Sequence, residues 1–152
     1  MSEIIETEGQ CLCGAITWKI NSEPISLIYC HCDSCQKSHS ALMVAIALFQ
    51  ADDVALTGET TSLSVSKRQH SAIRHSCPSC GTRVANTPAG ERNIQLLAIF
   101  PSLCTSTKWF LPTMHIFYED RSIDVSDDLP KYLDLPVEFG GSGQTADTLE
   151  SK

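Results

Sequence analysis

Residues 30–35 read CHCDSC, which places Cys30, Cys32 and Cys35 inside six positions. Two pairs, Cys11 and Cys13 in CLC and Cys77 and Cys80 in CPSC, and a solitary Cys104 complete the cysteines. Thiolates at such gaps are zinc ligands: four protein ligands close a structural site, whereas three leave a position open for a reactant. Extended residues two apart share a face, so CLC aims both sulfurs at one ion if the chain curls. In CPSCG, Pro78 sets a bend, and Gly81 is free to take the positive φ that brings backbone close to sulfur. Cys11, Cys13, Cys77 and Cys80 therefore predict one closed tetrahedron, which leaves Cys30, Cys32 and Cys35 as a three-ligand group. Two other readings compete. Free cysteine packs as a small apolar residue, and a redox CPSC would activate its thiol at a helix N-terminus. Gly81 followed by β-branched Thr82 and Val84 predicts a turn and then a strand instead.

An ion held by three thiolates has a net negative charge and is a weak Lewis acid, so activating water is a poor use for it. A soft fourth ligand suits it better, because a thiol bound there would lose its proton near neutral pH. The histidines are weaker candidates. His31 lies between Cys30 and Cys32, points away from their shared face, and reads as an exposed or hydrogen-bonded side chain. His39 reads as a polar cap after a short helix, with a reach to the second zinc or a substrate as the alternative. His75 reads as a satisfied structural histidine, or as a donor to a thiolate beside Cys77. His115 alternates with Met114 and Ile116 and is a candidate proton shuttle. Trp18, Trp109 and Phe110 read as core or interface aromatics, and Cys104 as a buried or incidental thiol.

The elements that must hold these residues are mostly strands. Residues 15–20 alternate Ile16, Trp18 and Ile20 against Ala15, Thr17 and Lys19, the period of a half-buried strand. Further strands are expected at 26–29, 43–49, 54–57, 62–66, 72–76, 83–85, 94–100 and 113–119. Turns are expected at Gly58 and at 88–90. Only 33–39 and 129–133 predict helix, each of one or two turns. Residues 1–139 read as one zinc-binding β domain, and 140–152, GGSGQTADTLESK, as a flexible C-terminal tail.

Composition bounds the partners. The 152 residues suffice for one domain with a real core, with 42% hydrophobic and 19% charged residues. A formal charge of −7 opposes binding to nucleic acid or anionic lipid. The run Lys67, Arg68, His70, Arg74 and His75 reads as a solvated loop or edge-strand face. The N-terminal segment MSEIIETEGQ lacks the order of a secretory signal, and no stretch is long enough to span a membrane. A cytoplasmic protein is expected, in which clustered cysteines serve metal rather than disulfides.

GQCLCGAITW, YCHCDSCQK, HSCPSCGT, PTMHIFYEDR and DDLPKY, taken in order, resemble the glutathione-dependent formaldehyde-activating enzyme (GFA) family, from Gly9 to about Tyr132. The resemblance implies a mainly β, Mss4-like fold of curved antiparallel sheets pinned by zinc, with two zinc ions per chain. It matches Cys11, Cys13, Cys77 and Cys80 to the structural zinc and Cys30, Cys32 and Cys35 to the functional one. It implies a carbon–sulfur lyase of the S-hydroxymethylglutathione synthase type, acting on glutathione or another small thiol and an aldehyde such as formaldehyde. Lys37 is then a candidate to hold a glutathione carboxylate, with a solvated surface lysine as its alternative. The chain departs from the family pattern at Ser40, a glycine-like position, and at SIDVSDDLP, where a tryptophan is frequent. Both departures fall where a substrate pocket could be lined. The competing functional class is a non-catalytic, zinc-stabilised binding module, which four protein ligands at both zinc sites would favour. A nucleic-acid zinc ribbon is opposed by the acidity.

Overall fold

The computed structural model describes residues 3–65, 72–88 and 95–147. The fold is mainly β, with antiparallel and mixed sheets, as expected of an Mss4-like domain. It divides into two compact units, Met1–Ser26 with Ile46–Leu111, and Leu27–Ala45 with Pro112–Lys152. Among the described residues no helix is long and apolar enough to cross a membrane.

The first unit holds a three-stranded antiparallel sheet of β1 (Ile5–Gln10), β2 (Thr17–Ser22) and β5 (Val54–Thr57), in the order β1–β2–β5. β2 buries Trp18 and Ile20 and exposes Thr17 and Lys19, the alternation that drives a strand to cover a core on one face. β1 escapes a pattern reading because glutamates and a threonine separate its buried Ile5 and Gly9. Gly9 pairs with Trp18 across the ladder. A Cβ there would come within 2.6 Å of the indole, so only glycine lets the strand lie this close. The same unit contains, from Ile46 on, β4 (Val44–Gln50) in an antiparallel run with β9 (Leu96–Ile99), β8 (Arg83–Pro88), β7 (Ala72–Ser76) and β6 (Thr61–Val65). Phe49, Val84 and Ile99 are fully buried along it. Gly58, at φ 107°, makes the expected turn between β5 and β6. Of the predicted basic face, Lys67, Arg68 and His70 lie outside the described residues, as do Ser66, Ile94 and the 89–90 turn positions. Arg74 corrects that reading. It is buried on β7, which runs between β6 and β8 and is no edge.

In the second unit, β3 (Ser26–Cys30) lies parallel to β10 (Met114–Ile116), with His115 opposite Tyr29 and Ile116 opposite Cys30. α1 (Asp33–His39) follows at the predicted residues. The strand expected over 113–119 stops at Ile116 because Phe117 takes a left-handed conformation, φ 52°, and leads into a short 3-10 turn, Tyr118–Asp120. The helix expected over 129–133 does not form. Pro130 has no N–H and keeps Leu129 out of the helical region, and the chain instead bridges Lys131 to His115 and Tyr132 to Thr145. The pairing continues past residue 139. Leu133 N donates to Gln144 O at 2.8 Å and Ala146 N to Lys131 O at 2.9 Å, while the Ser142 hydroxyl donates to Asp134 at 2.6 Å. Residues 140–147 are thus tied to the unit; residues 148–152 lie outside the described ones.

Candidate metal centres

Two loops of similar build carry the first cysteine group. After β1, Cys11 N donates to Ile16 O at 3.0 Å, and Gly14 takes φ 79°. After β7, Cys77 N donates to Thr82 O at 2.9 Å, Gly81 N returns to Cys77 O at 2.9 Å, and Gly81 takes φ 75°. Each loop reverses the chain with a glycine at positive φ, which turns its two cysteines inward. All four sulfurs, of Cys11, Cys13, Cys77 and Cys80, lie within 4.8 Å of one another. Cys13 Sγ is 3.7 Å from both Cys11 Sγ and Cys77 Sγ. Thr82 locks the loops together, accepting from Leu12 N at 3.1 Å and meeting Cys80 Sγ at 3.1 Å. Hydrogen bonding by Thr82, first through its hydroxyl and then through its backbone, holds the Cys80 thiol down to about 5. Ile16 N donates to Cys11 Sγ at 3.3 Å, which favours the thiolate. The redox alternative for CPSC fails on its local structure: Thr82 leads into strand β8, and no helix begins at Cys77.

The second group is built from a strand end and a helix start. Cys30 ends β3, Cys32 is the N-cap of α1, and Cys35 lies in the first turn of α1. Cys32 Sγ accepts from Cys35 N at 3.3 Å, taking the place of the usual capping oxygen. The three sulfurs lie within 4.8 Å of one another, all three residues are buried, and no fourth His, Cys, Asp or Glu joins them among the described residues. Hydrogen bonds from the Cys30 and Cys35 thiols hold Cys32 down to about 2, while bonding to Cys32 pushes Cys30 well up. One sulfur of the cluster is thus stabilised as thiolate by its neighbours. Soft donors in tight groups of four and three are the chemistry zinc takes, and both groups could hold a metal ion.

His31 is fully buried, which excludes the exposed alternative and leaves the hydrogen-bonded one. Its Nε2 lies 2.8 Å from His115 Nδ1, and His115 Nε2 lies 2.9 Å from Asp127 Oδ2. His115, Tyr29 and Tyr118 pack their rings around this contact. Burial first, and then His115, pushes His31 down to about 4. Burial works against the Asp127 carboxylate, but hydrogen bonds from Lys131, His115 and Leu129 outweigh it and hold Asp127 down to about 2. Asp127 and Lys131 escaped the sequence reading, although Asp127 lies in the SIDVSDDLP segment where the family pattern breaks. Lys37 is 76% exposed and pairs with Asp33 at 3.1 Å on α1. His39 ends α1, half-buried. His75 is satisfied as expected, between Ser62 Oγ at 2.8 Å and Thr87 Oγ1 at 2.9 Å, and among the described residues no thiolate is its partner. Cys104 is half-buried, and burial raises its thiol. Trp18 is core, and Trp109 meets Phe110 edge-on. Gln36 is structural, donating to His31 O at 2.6 Å and Asp120 O at 2.9 Å.

The family model for the glutathione-dependent formaldehyde-activating enzyme matches residues 6–120. No curated protein matches the chain. The match takes in both cysteine groups, and the chain belongs to the GFA family.

Proposed function

We propose that this chain is a zinc-dependent carbon–sulfur lyase of the family's type, joining glutathione or another small thiol to an aldehyde at the Cys30, Cys32 and Cys35 group. One observation carries the reading: three buried sulfurs converge there without a fourth His, Cys, Asp or Glu among the described residues, whereas the other group has four. Cys11, Cys13, Cys77 and Cys80 would hold a structural zinc, and the triplet a second one. When bound at the triplet, zinc would supply a positive centre for a thiolate sulfur or an aldehyde oxygen. In the net reaction a sulfur–carbon bond forms, the carbonyl π bond opens, and the proton given up by sulfur ends on the new hydroxyl. The residues around the triplet exclude water: Cys30 and Cys32 are each 3% exposed, which strengthens every charge interaction there. Lys37, two positions beyond Cys35 on the exposed face of α1, is the cation we assign to a glutathione carboxylate, in exchange for Asp33.

Cobalt replacing zinc tests the reading, because a sulfur entering the open position strengthens sulfur-to-metal charge-transfer absorption. Glutathione should change the spectrum of the cobalt protein, and S-methylglutathione, which cannot become a thiolate, should not. Protein with two metals per chain and no spectral response to any thiol would instead be the binding module, its triplet closed by another ligand.

A further inference from the structure

A polar chain, buried at its two imidazoles, runs beside the triplet in sequence and belongs to neither cysteine group. At its outer end Lys131 Nζ, on a side chain 14% exposed, donates to Asp127 Oδ1 at 2.7 Å, to Asp127 O at 2.9 Å and to Leu129 O at 3.0 Å. The chain continues through Asp127 Oδ2, His115 Nε2 and Nδ1, and His31 Nε2, with links of 2.9 and 2.8 Å. Both imidazoles are fully buried. At the inner end, His31 Nδ1 meets no hydrogen-bond partner among the described residues.

With both imidazoles neutral, donor and acceptor inventory fixes the direction of this chain. An ammonium has only donors, and a carboxylate has only acceptors. His115 Nε2 must therefore carry a hydrogen and donate to Asp127. A neutral imidazole has one N–H, so His115 Nδ1 is an acceptor, and His31 Nε2 must donate to it. His31 Nδ1 is then a bare lone pair in a buried place. An acceptor buried without a donor is costly enough that folded proteins almost always supply one. We propose that Lys131, Asp127 and His115 are positioning residues that present His31 Nδ1 as a fixed acceptor for one small O–H donor, a water molecule or the hydrate of a small aldehyde. Such an acceptor selects hydroxyl forms over a free carbonyl, which can only accept. The direction of the chain stands on this geometry and on neutral imidazoles; the assignment to an aldehyde hydrate rests on the function proposed above.

The polarity is open to reversal by one atom. In Asp127→Asn, Lys131 and Leu129 N, which both donate to Oδ1, keep the amide oxygen on their side. The amide NH2 then faces His115 Nε2 and donates to it. His115 must move its hydrogen to Nδ1, and His31 must accept at Nε2 and carry its hydrogen on Nδ1. Lys131→Met leaves the carboxylate in place and should reverse nothing, so a merely structural role would not separate the two variants.

The test is a long-range proton–nitrogen NMR spectrum of zinc-loaded protein labelled at histidine nitrogen. His31 and His115 should both show protonated Nε2 and bare Nδ1 in the parent and in Lys131→Met, and the reverse pattern in Asp127→Asn. Formaldehyde, added without thiol as its hydrate, should shift the His31 Nδ1 resonance reversibly if the aldehyde hydrate is the donor; an unshifted resonance assigns the donor as water. A protonated or metal-bound Nδ1 in the parent protein overturns the proposal whatever becomes of the variants, as does an unchanged pattern in folded Asp127→Asn. None of these tautomer readings depends on turnover, so a failed lyase reading and a failed chain are told apart.

Discussion

Cys32 acts twice, as a sulfur of the triplet and as the cap of α1. Cys35 has only the first role to lose, since it sits inside the first helical turn with its backbone already engaged. Cys35→Ser is therefore expected to remove one of the two metal equivalents and any thiol response while leaving cooperative unfolding in place. Metal analysis beside a melting curve checks this, and global unfolding would show the triplet to be structural. Lys37→Ala should leave metal content unchanged and weaken glutathione about two- to fivefold, the size of an exposed ion pair of up to about 1 kcal/mol; titration with equal affinity for both proteins would return Lys37 to its pairing with Asp33. The cysteine groups were legible because their cysteines come in local runs with one or two residues between neighbours. His31 and His115 stand 84 positions apart, and no local pattern relates them. His31 could be turned away from the cysteine face by alternation, but its burial depends on β10 arriving alongside β3.

At the scale of elements, α1 was readable to the residue because Cys32 to Ser40 contain a capping sequence and a stop. The stop is imperfect. Ser40 ends α1 at φ 50° in the left-handed region, its N–H bonded to Gln36 O. A side chain is strained there, whereas glycine is not. Ser40→Gly should stabilise the protein by about 0.5–1 kcal/mol after the added freedom of the unfolded chain is counted, or raise Tm by about 1–4 °C in a chain of this size. Ser40→Ala, which keeps a Cβ, should not share the gain; equal melting temperatures for glycine and alanine variants would defeat the argument. The segment 129–133 misled because Leu129 and Leu133 have helical spacing while Pro130, one residue in, decides against the helix. β1 was missed because Glu6 and Glu8 hide a strand whose buried positions are Ile5 and Gly9, and a glycine contributes nothing to a hydrophobic pattern.

For the whole molecule, the four-cysteine group matters most, because it joins chain positions far apart. Cys11 and Cys77 are each 1% exposed and lie 66 positions apart (77 minus 11). Their loops end β1 and β7, strands of different sheets within one unit. An ion held there closes a long loop and fixes both strand ends. Structural zinc in small domains binds with about 10–16 kcal/mol of apparent free energy, all of it folding free energy when the unfolded chain has no site. A domain's net stability is only about 5–15 kcal/mol, so loss of this ion is expected to consume most of it. Cys77→Ser removes one of the two buried sulfurs, leaves the other three without a complete tetrahedron, and puts a hydroxyl where Cys13 Sγ now lies 3.7 Å away. The variant should lose the structural metal and show a broad, low melting transition, and a strong chelator added to the parent protein should reproduce that transition. Full metal retention with an unchanged melting curve would mean that the hydrogen bonds of the two loops, Cys11 N to Ile16 O and Cys77 N to Thr82 O, hold the fold without an ion. The contrast with Cys35→Ser makes the assignment of roles testable: only the group that spans the first unit should melt the protein when broken.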